Sequence, residues 1–287
     1  MPIRHPHRSL SRTLLIALAA GALAGTASAQ TERRWRNPAT GDWGTVGNWV
    51  SNLPPISNET AFFGLNASVT SYNVTSAINR TTAGLNVNNQ RPTFLFGSPG
   101  APATYTISNF VTIGGANSPV ATLGRGNVIA PANVMVGRNP GQPGSLVISG
   151  PESIWSGIDT IGQAATGEVS VTNGGLLSSS RAIFIGFGAG SSGLLRVDGA
   201  NGPSRVQMLS NAFVVLGTDG NGRIELLNGG QMSVNNEQFY VGDRGTASLL
   251  ISGAGSSLTL PYQLRLAENA PSVATATIQA GGSITAQ

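Results

Sequence analysis

The second half of the chain repeats a short apolar-glycine step at a nearly constant interval. The step occurs at Val136-Gly137, Ile161-Gly162, Ile185-Gly186, Leu216-Gly217 and Val241-Gly242, with Leu266-Ala267 as a degenerate sixth copy. Only the stretch from Gly186 to Gly217 is longer than the others. After each step comes a turn and then a short alternating strand: GSLVISG from Gly144, GEVSVTNGG from Gly167, GLLRVDG from Gly193, GRIELLNGG from Gly222, ASLLISG from Ala247 and ATATIQAGG from Ala274. A fixed period of this kind, with period-two alternation inside it, requires stacked β-coils, because one coil cannot bury its apolar face alone. A compact globular domain is excluded.

The copies alternate between two forms. One carries Ser153, Ser204 or Ser256 two places before a large apolar residue, and the other carries a glycine doublet in TNGGLL, LNGGQM and QAGGSI. The true unit is therefore a pair of coils, two steps long. Period-two alternation assigns Leu146, Ile148, Val169, Val171, Leu195, Val197, Ile224, Leu226, Leu249, Ile251 and Ile278 to the interior. Counting from each strand-opening residue places Val147, Ser170, Arg196, Glu225, Leu250 and Thr277 outward on one ladder, so Arg196 and Glu225 are expected to face each other across neighbouring coils.

Composition narrows the class further. Only 10% of the 287 residues are charged and 6% aromatic, while glycine reaches 39, a mixture suited to short strands and tight turns and not to a helical bundle. Residues 1–29 have the three parts of a secretory signal: Arg4, Arg8 and Arg12, the apolar run from Leu14, and Ala27-Ser28-Ala29 as a cleavage site. The run is too short to span a membrane and none follows it, so the expectation is an exported chain beginning at Gln30 with no transmembrane segment. All sixteen basic residues are arginines, three of them in the leader, which leaves thirteen against twelve acidic residues. A charge so near balance is no nucleic-acid footprint. With no cysteine, stability must come from stacking and not from disulfides.

The absence of other residue types bounds the chemistry. Both histidines, His5 and His7, lie in the leader, so residues 30–287 contain no His, Cys or Lys. Ser-His-Asp, Cys-His and Ser-Lys nucleophiles, Schiff bases and the usual zinc, copper or haem ligand sets are therefore excluded. Carboxylates remain. Asp243 and Glu268 fall at equivalent positions of neighbouring coils, with Arg244 beside them, and are read as solvated turn residues in preference to a glycosidase-type pair. Asp219, Asn221 and Glu225 in TDGNGRIE lack the further ligands of a calcium loop and are read as a tight turn. The glycines of GFGAGSSG from Gly186 precede no helix and are read as turn glycines, not a phosphate cradle. No catalytic, cofactor-binding or metal-ligating residue is assigned, and no cofactor is expected.

Residues 30–64 differ from the rest. They hold three of the four tryptophans, Trp35, Trp43 and Trp49, and are read as a capping module over the first coil in preference to a tryptophan platform for sugars. Residues 65–287 are read as coils, regular from about residue 110.

The alternating coils "VG…G.L.V.G..S.W" and "IG…G.V.V.NGG", behind the tryptophan-rich opening, resemble the repeat of autotransporter (type V secretion) passenger regions. They are similar also to repeats of exported bacterial proteins that carry a C-terminal PEP sorting signal. The resemblance implies an all-β, right-handed parallel β-helix (solenoid) with a tryptophan-rich cap. It would be displayed at the cell surface, associated with the outer membrane or extracellular, and no enzymatic activity is implied; outward positions that are mostly Ser, Thr, Asn and Gly make the reading a non-enzymatic, adhesin-like passenger region. The implied contact is a host or neighbouring cell surface or an extracellular polysaccharide, with no nucleic acid; the alternative is a secreted polysaccharide-active enzyme or carbohydrate-binding module on the same scaffold. The chain ends at Gln287 inside a repeat, with no terminal barrel strand and no Pro-Glu-Pro motif. The expectation is a longer natural protein or end-to-end self-association through the last coil.

Overall fold

The computed structural model describes residues 31–36, 39–65, 71–130, 133–209, 212–235, 238–261 and 263–286. The leader reading of residues 1–29 lies outside the described residues. What is described is nearly all strand: a β-solenoid of about nine turns whose one helical element is a single 3-10 turn at Val46–Asn48. No helix among the described residues is long and apolar enough to cross a membrane.

Each regular coil contributes three strands, and equivalent strands stack in parallel, giving three columns. In the first column Gly144–Ser149 pairs with Thr166–Thr172, which pairs in turn with Ser192–Asp198, Asn221–Leu227, Thr246–Ser252 and Val273–Gln279. The second runs through Ser153–Ser156, Leu176–Ser179, Arg205–Met208, Gln231–Val234, Ser257–Leu260 and Ser283–Ala286. The third runs through Val134–Val136, Thr160–Ile161, Ile183–Ile185, Val214–Leu216, Phe239–Val241 and Leu264–Leu266. The long interval from Gly186 to Gly217 keeps this register because its extra residues are spread over the three corners, between Ile185 and Ser192, Asp198 and Arg205, and Met208 and Val214.

The alternation puts the expected residues inside. Leu146, Ile148, Val169, Val171, Leu195, Val197, Ile224, Leu226, Leu249 and Ile251 are all buried. Ile278 is the exception. It pairs in register with Ile251 yet is 49% exposed, because no described coil stacks on its far side.

The two-coil unit has a hydrogen-bonding cause. In the doublet coils Asn173 and Asn228 take left-handed φ of +53° and +52°, and the glycine after each follows at +85° and +87°. That geometry turns the chain tightly but leaves the N–H of Gly174 and of Gly229 without a partner in its own turn. The next coil supplies one: Ser204 Oγ accepts from Gly174 N at 3.1 Å, and Ser256 Oγ accepts from Gly229 N at 3.0 Å. Ser256 also donates to the Ser252 carbonyl at 2.8 Å, and both serines are fully buried. For Ser204 and Ser256, this bond ties each serine coil to the doublet coil before it. Replacing Ser256 with alanine is expected to cost about 1–3 kcal/mol, the penalty of an unsatisfied buried donor, read from the urea midpoint; no change would mean that the serine is not the link.

The earlier coils are less regular because single long strands cross two columns. Arg80–Val87 and Thr104–Ile113 pair with each other on both sides of a register shift between Thr82 and Gly84. Gly97–Ser98 and Ala101–Pro102 form a small antiparallel hairpin.

The opening segment joins the same columns. Glu32–Arg34 pairs with Thr60–Phe63, and Gly41–Asp42 pairs with Val74 and Thr75. Its tryptophans form an aromatic cluster: Trp43 lies 5.1 Å from both Trp49 and Tyr105, and Trp35 lies edge-on to Trp49 at 5.0 Å. Trp35, Trp43 and Trp49 are at most 1% exposed. Buried indole faces offer no sugar platform. Beside them the buried Glu59 carboxylate accepts from Arg33 Nε at 2.9 Å and from the Ile56 N–H at 3.1 Å. The Arg33 hydrogen bond holds this carboxyl below its ordinary value against the opposing effect of burial.

Candidate functional site

The carboxylates of the repeat coils meet partners, several of them in a neighbouring coil. Asp243 and Glu268 do sit at equivalent positions, as their backbone bonds to Gly217 and Gly242 show. Their side chains do not form a pair. Asp243 Oδ1 accepts from Asn269 at 2.6 Å, while Glu268 bonds to Arg265 at 2.6 Å. Arg244, expected beside both, forms a bidentate pair with Asp219 at 2.7 and 2.8 Å and lies 3.7 Å from Asp243. Its two bonds hold Asp219 below the ordinary aspartate value, and Arg244 is raised in return.

The calcium-like triplet is likewise drawn apart. Asp219 belongs to Arg244, Asn221 opens a strand in the first column, and Glu225 faces Arg196 at 2.7 Å. That contact is the one expected from the ladder, and the register pairs the two residues directly. Its environment differs from the exposed pair that the ladder suggested: the Glu225 side chain is 6% exposed and is covered also by Arg223. The Glu225 hydrogen bond raises Arg196. Asp159 pairs with Arg181 at 2.6 Å. In GFGAGSSG, Gly186 has φ +70°, and a methyl group there would overlap the backbone of Asn221 in the next coil, so close stacking explains the residue.

One outward region is different. On the second column, alternation turns Arg205, Gln207, Gln231, Ser233, Ser257 and Thr259 outward, and these six line a shallow depression of about 240 Å³. Register stacks them as two ladders, Arg205–Gln231–Ser257 and Gln207–Ser233–Thr259. None of the six side chains makes a hydrogen bond or ion pair among the described residues, in contrast to the locked carboxylates elsewhere. Sequence reasoning did not find this site. The alternation in RVQM, QMSV and SLTL carries the signal, whereas the lack of partners depends on neighbours that only the register supplies.

Comparison with known proteins found no match to a family model, to a curated protein or to a solved structure.

Proposed function

We propose that the chain is a non-enzymatic, exported display scaffold: a β-solenoid held at the cell surface, in association with the outer membrane or outside the cell, that offers its flanks for adhesion. The observation that carries this reading is the state of the carboxylates. In the regular coils every described carboxylate is engaged, for example Asp159 by Arg181, Glu225 by Arg196, Asp219 by Arg244 and Glu268 by Arg265. Acid-base catalysis by a pair needs one carboxyl free to hold a proton and another free to act as base. A carboxylate bonded to arginine has its oxygens already engaged. The same bonds suit a scaffold, since they fix register along an otherwise weakly charged surface.

The resemblance to autotransporter passengers, together with the leader-like residues 1–29, supports the placement outside the cell. Antibody labelling of intact bacteria expressing the full chain tests it, with N-terminal sequencing of the product. The reading expects labelled cells and a chain that starts at Gln30. An uncleaved protein confined to the cytosol would refute it.

A further inference from the structure

We infer that the outer face of the second column from Arg205 to Thr259 binds a strand of acidic polysaccharide, with Arg205 receiving a sugar carboxylate. The inference rests on the display reading above, for which it names a partner. Five of the six side chains are neutral groups that can donate and accept: two amides and three hydroxyls. A sugar chain presents hydroxyls with the same dual capacity, repeated along its length. The ladders repeat too, at about 4.8 Å from coil to coil. Their partners are missing in the free protein, so a ligand that supplies them displaces only water and breaks no internal bond.

Charge selects among polymers. Arg205 is the one charged residue on the second-column strands from Ser153–Ser156 to Ser283–Ala286, and it has no acidic partner among the described residues. Its planar fork matches a carboxylate through two parallel bonds. Nucleic acid is disfavoured, because its affinity comes from neutralising several phosphates at once. A lipid surface is disfavoured because the outward ladder residues at this site are polar. The depression is smaller than the roughly 300–1,000 Å³ of an enclosing ligand pocket, which suits a chain laid over the surface with a short stretch seated.

The test uses the mature chain in native affinity electrophoresis with polygalacturonate cast in the gel and dextran as the neutral comparison. Incubated samples are assayed in parallel for new reducing ends. Retardation by polygalacturonate is expected, with Arg205→Gln weakening it at least about tenfold, as loss of a charge-assisted bond predicts. Gln231→Ala should weaken it less. Arg138→Gln removes an equal charge from an exposed residue without an ion pair among the described residues, and should change retardation less than about twofold if the attraction is local. No retardation of the parent chain, or equal losses in Arg205→Gln and Arg138→Gln, overturns the inference and leaves the display reading standing. Equal retardation by dextran overturns the role of Arg205. Release of reducing ends would instead overturn the non-enzymatic reading.

Discussion

Replacing Gly162 with alanine is expected to destabilise the solenoid by about 3–5 kcal/mol, combining the cost of a left-handed alanine with that of overpacking. Gly162 has φ +72°, and a methyl group on it would overlap the carbonyl oxygen of Ser192 in the next coil. Two independent penalties fall on one atom. The same step in the last described coil provides the control: Ala267 already stands at φ +52° with no described coil stacked on it. There only the backbone strain applies, so Ala267→Gly should stabilise by about 1 kcal/mol. Urea denaturation followed by far-ultraviolet circular dichroism measures both. A small effect at Gly162 would mean that the coils are not packed backbone to backbone at this corner.

Trp43→Ala carries the other large effect, about 3–5 kcal/mol for removing a buried aromatic from a packed core. Trp43 is fully buried, with Trp49 and Tyr105 at 5.1 Å and Phe63 and Phe96 at 6.0 and 6.2 Å between ring centroids. Solenoid stability accrues from nearest-neighbour contacts, so the damage should stay local. Hydrogen exchange should quicken at Val74 and Phe94 while the amides of Val169 and Ile224 keep their protection. Uniform loss of protection along the chain would show a single cooperative unit instead.

The glycine step and the period-two alternation made the regular coils legible in the sequence, down to the contact between Arg196 and Glu225. The long interval from Gly186 to Gly217 did not hide that register, because its extra residues sit at corners and leave strand lengths unchanged. Burial was harder to read where it depends on a neighbour. Glu225 looked exposed because alternation puts Arg223 on its face but does not say that Arg223 and Arg196 of the neighbouring coil close over it. Ile278 looked buried because alternation assumes a coil on each side. The equivalence of Asp243 and Glu268 was correct in register, yet equivalence of backbone did not decide which arginine or asparagine each carboxylate would take. The Arg205 to Thr259 ladders fall in the same class, since a missing partner is a property of the surroundings.

Distances between spin labels along one outward ladder test the stacking most directly, and the absence of cysteine makes labelling clean. Val147 and Thr277 belong to a single ladder through Ser170, Arg196, Glu225 and Leu250. With labels at Val147→Cys and Leu250→Cys the backbone separation should be about 19 Å, and with Val147→Cys and Thr277→Cys about 24 Å, a growth of one strand spacing per coil. Separations that rise by that step with each coil are the predicted result. A separation that stays constant, or that jumps irregularly between coils, would contradict the in-register solenoid on which the site and its proposed use depend.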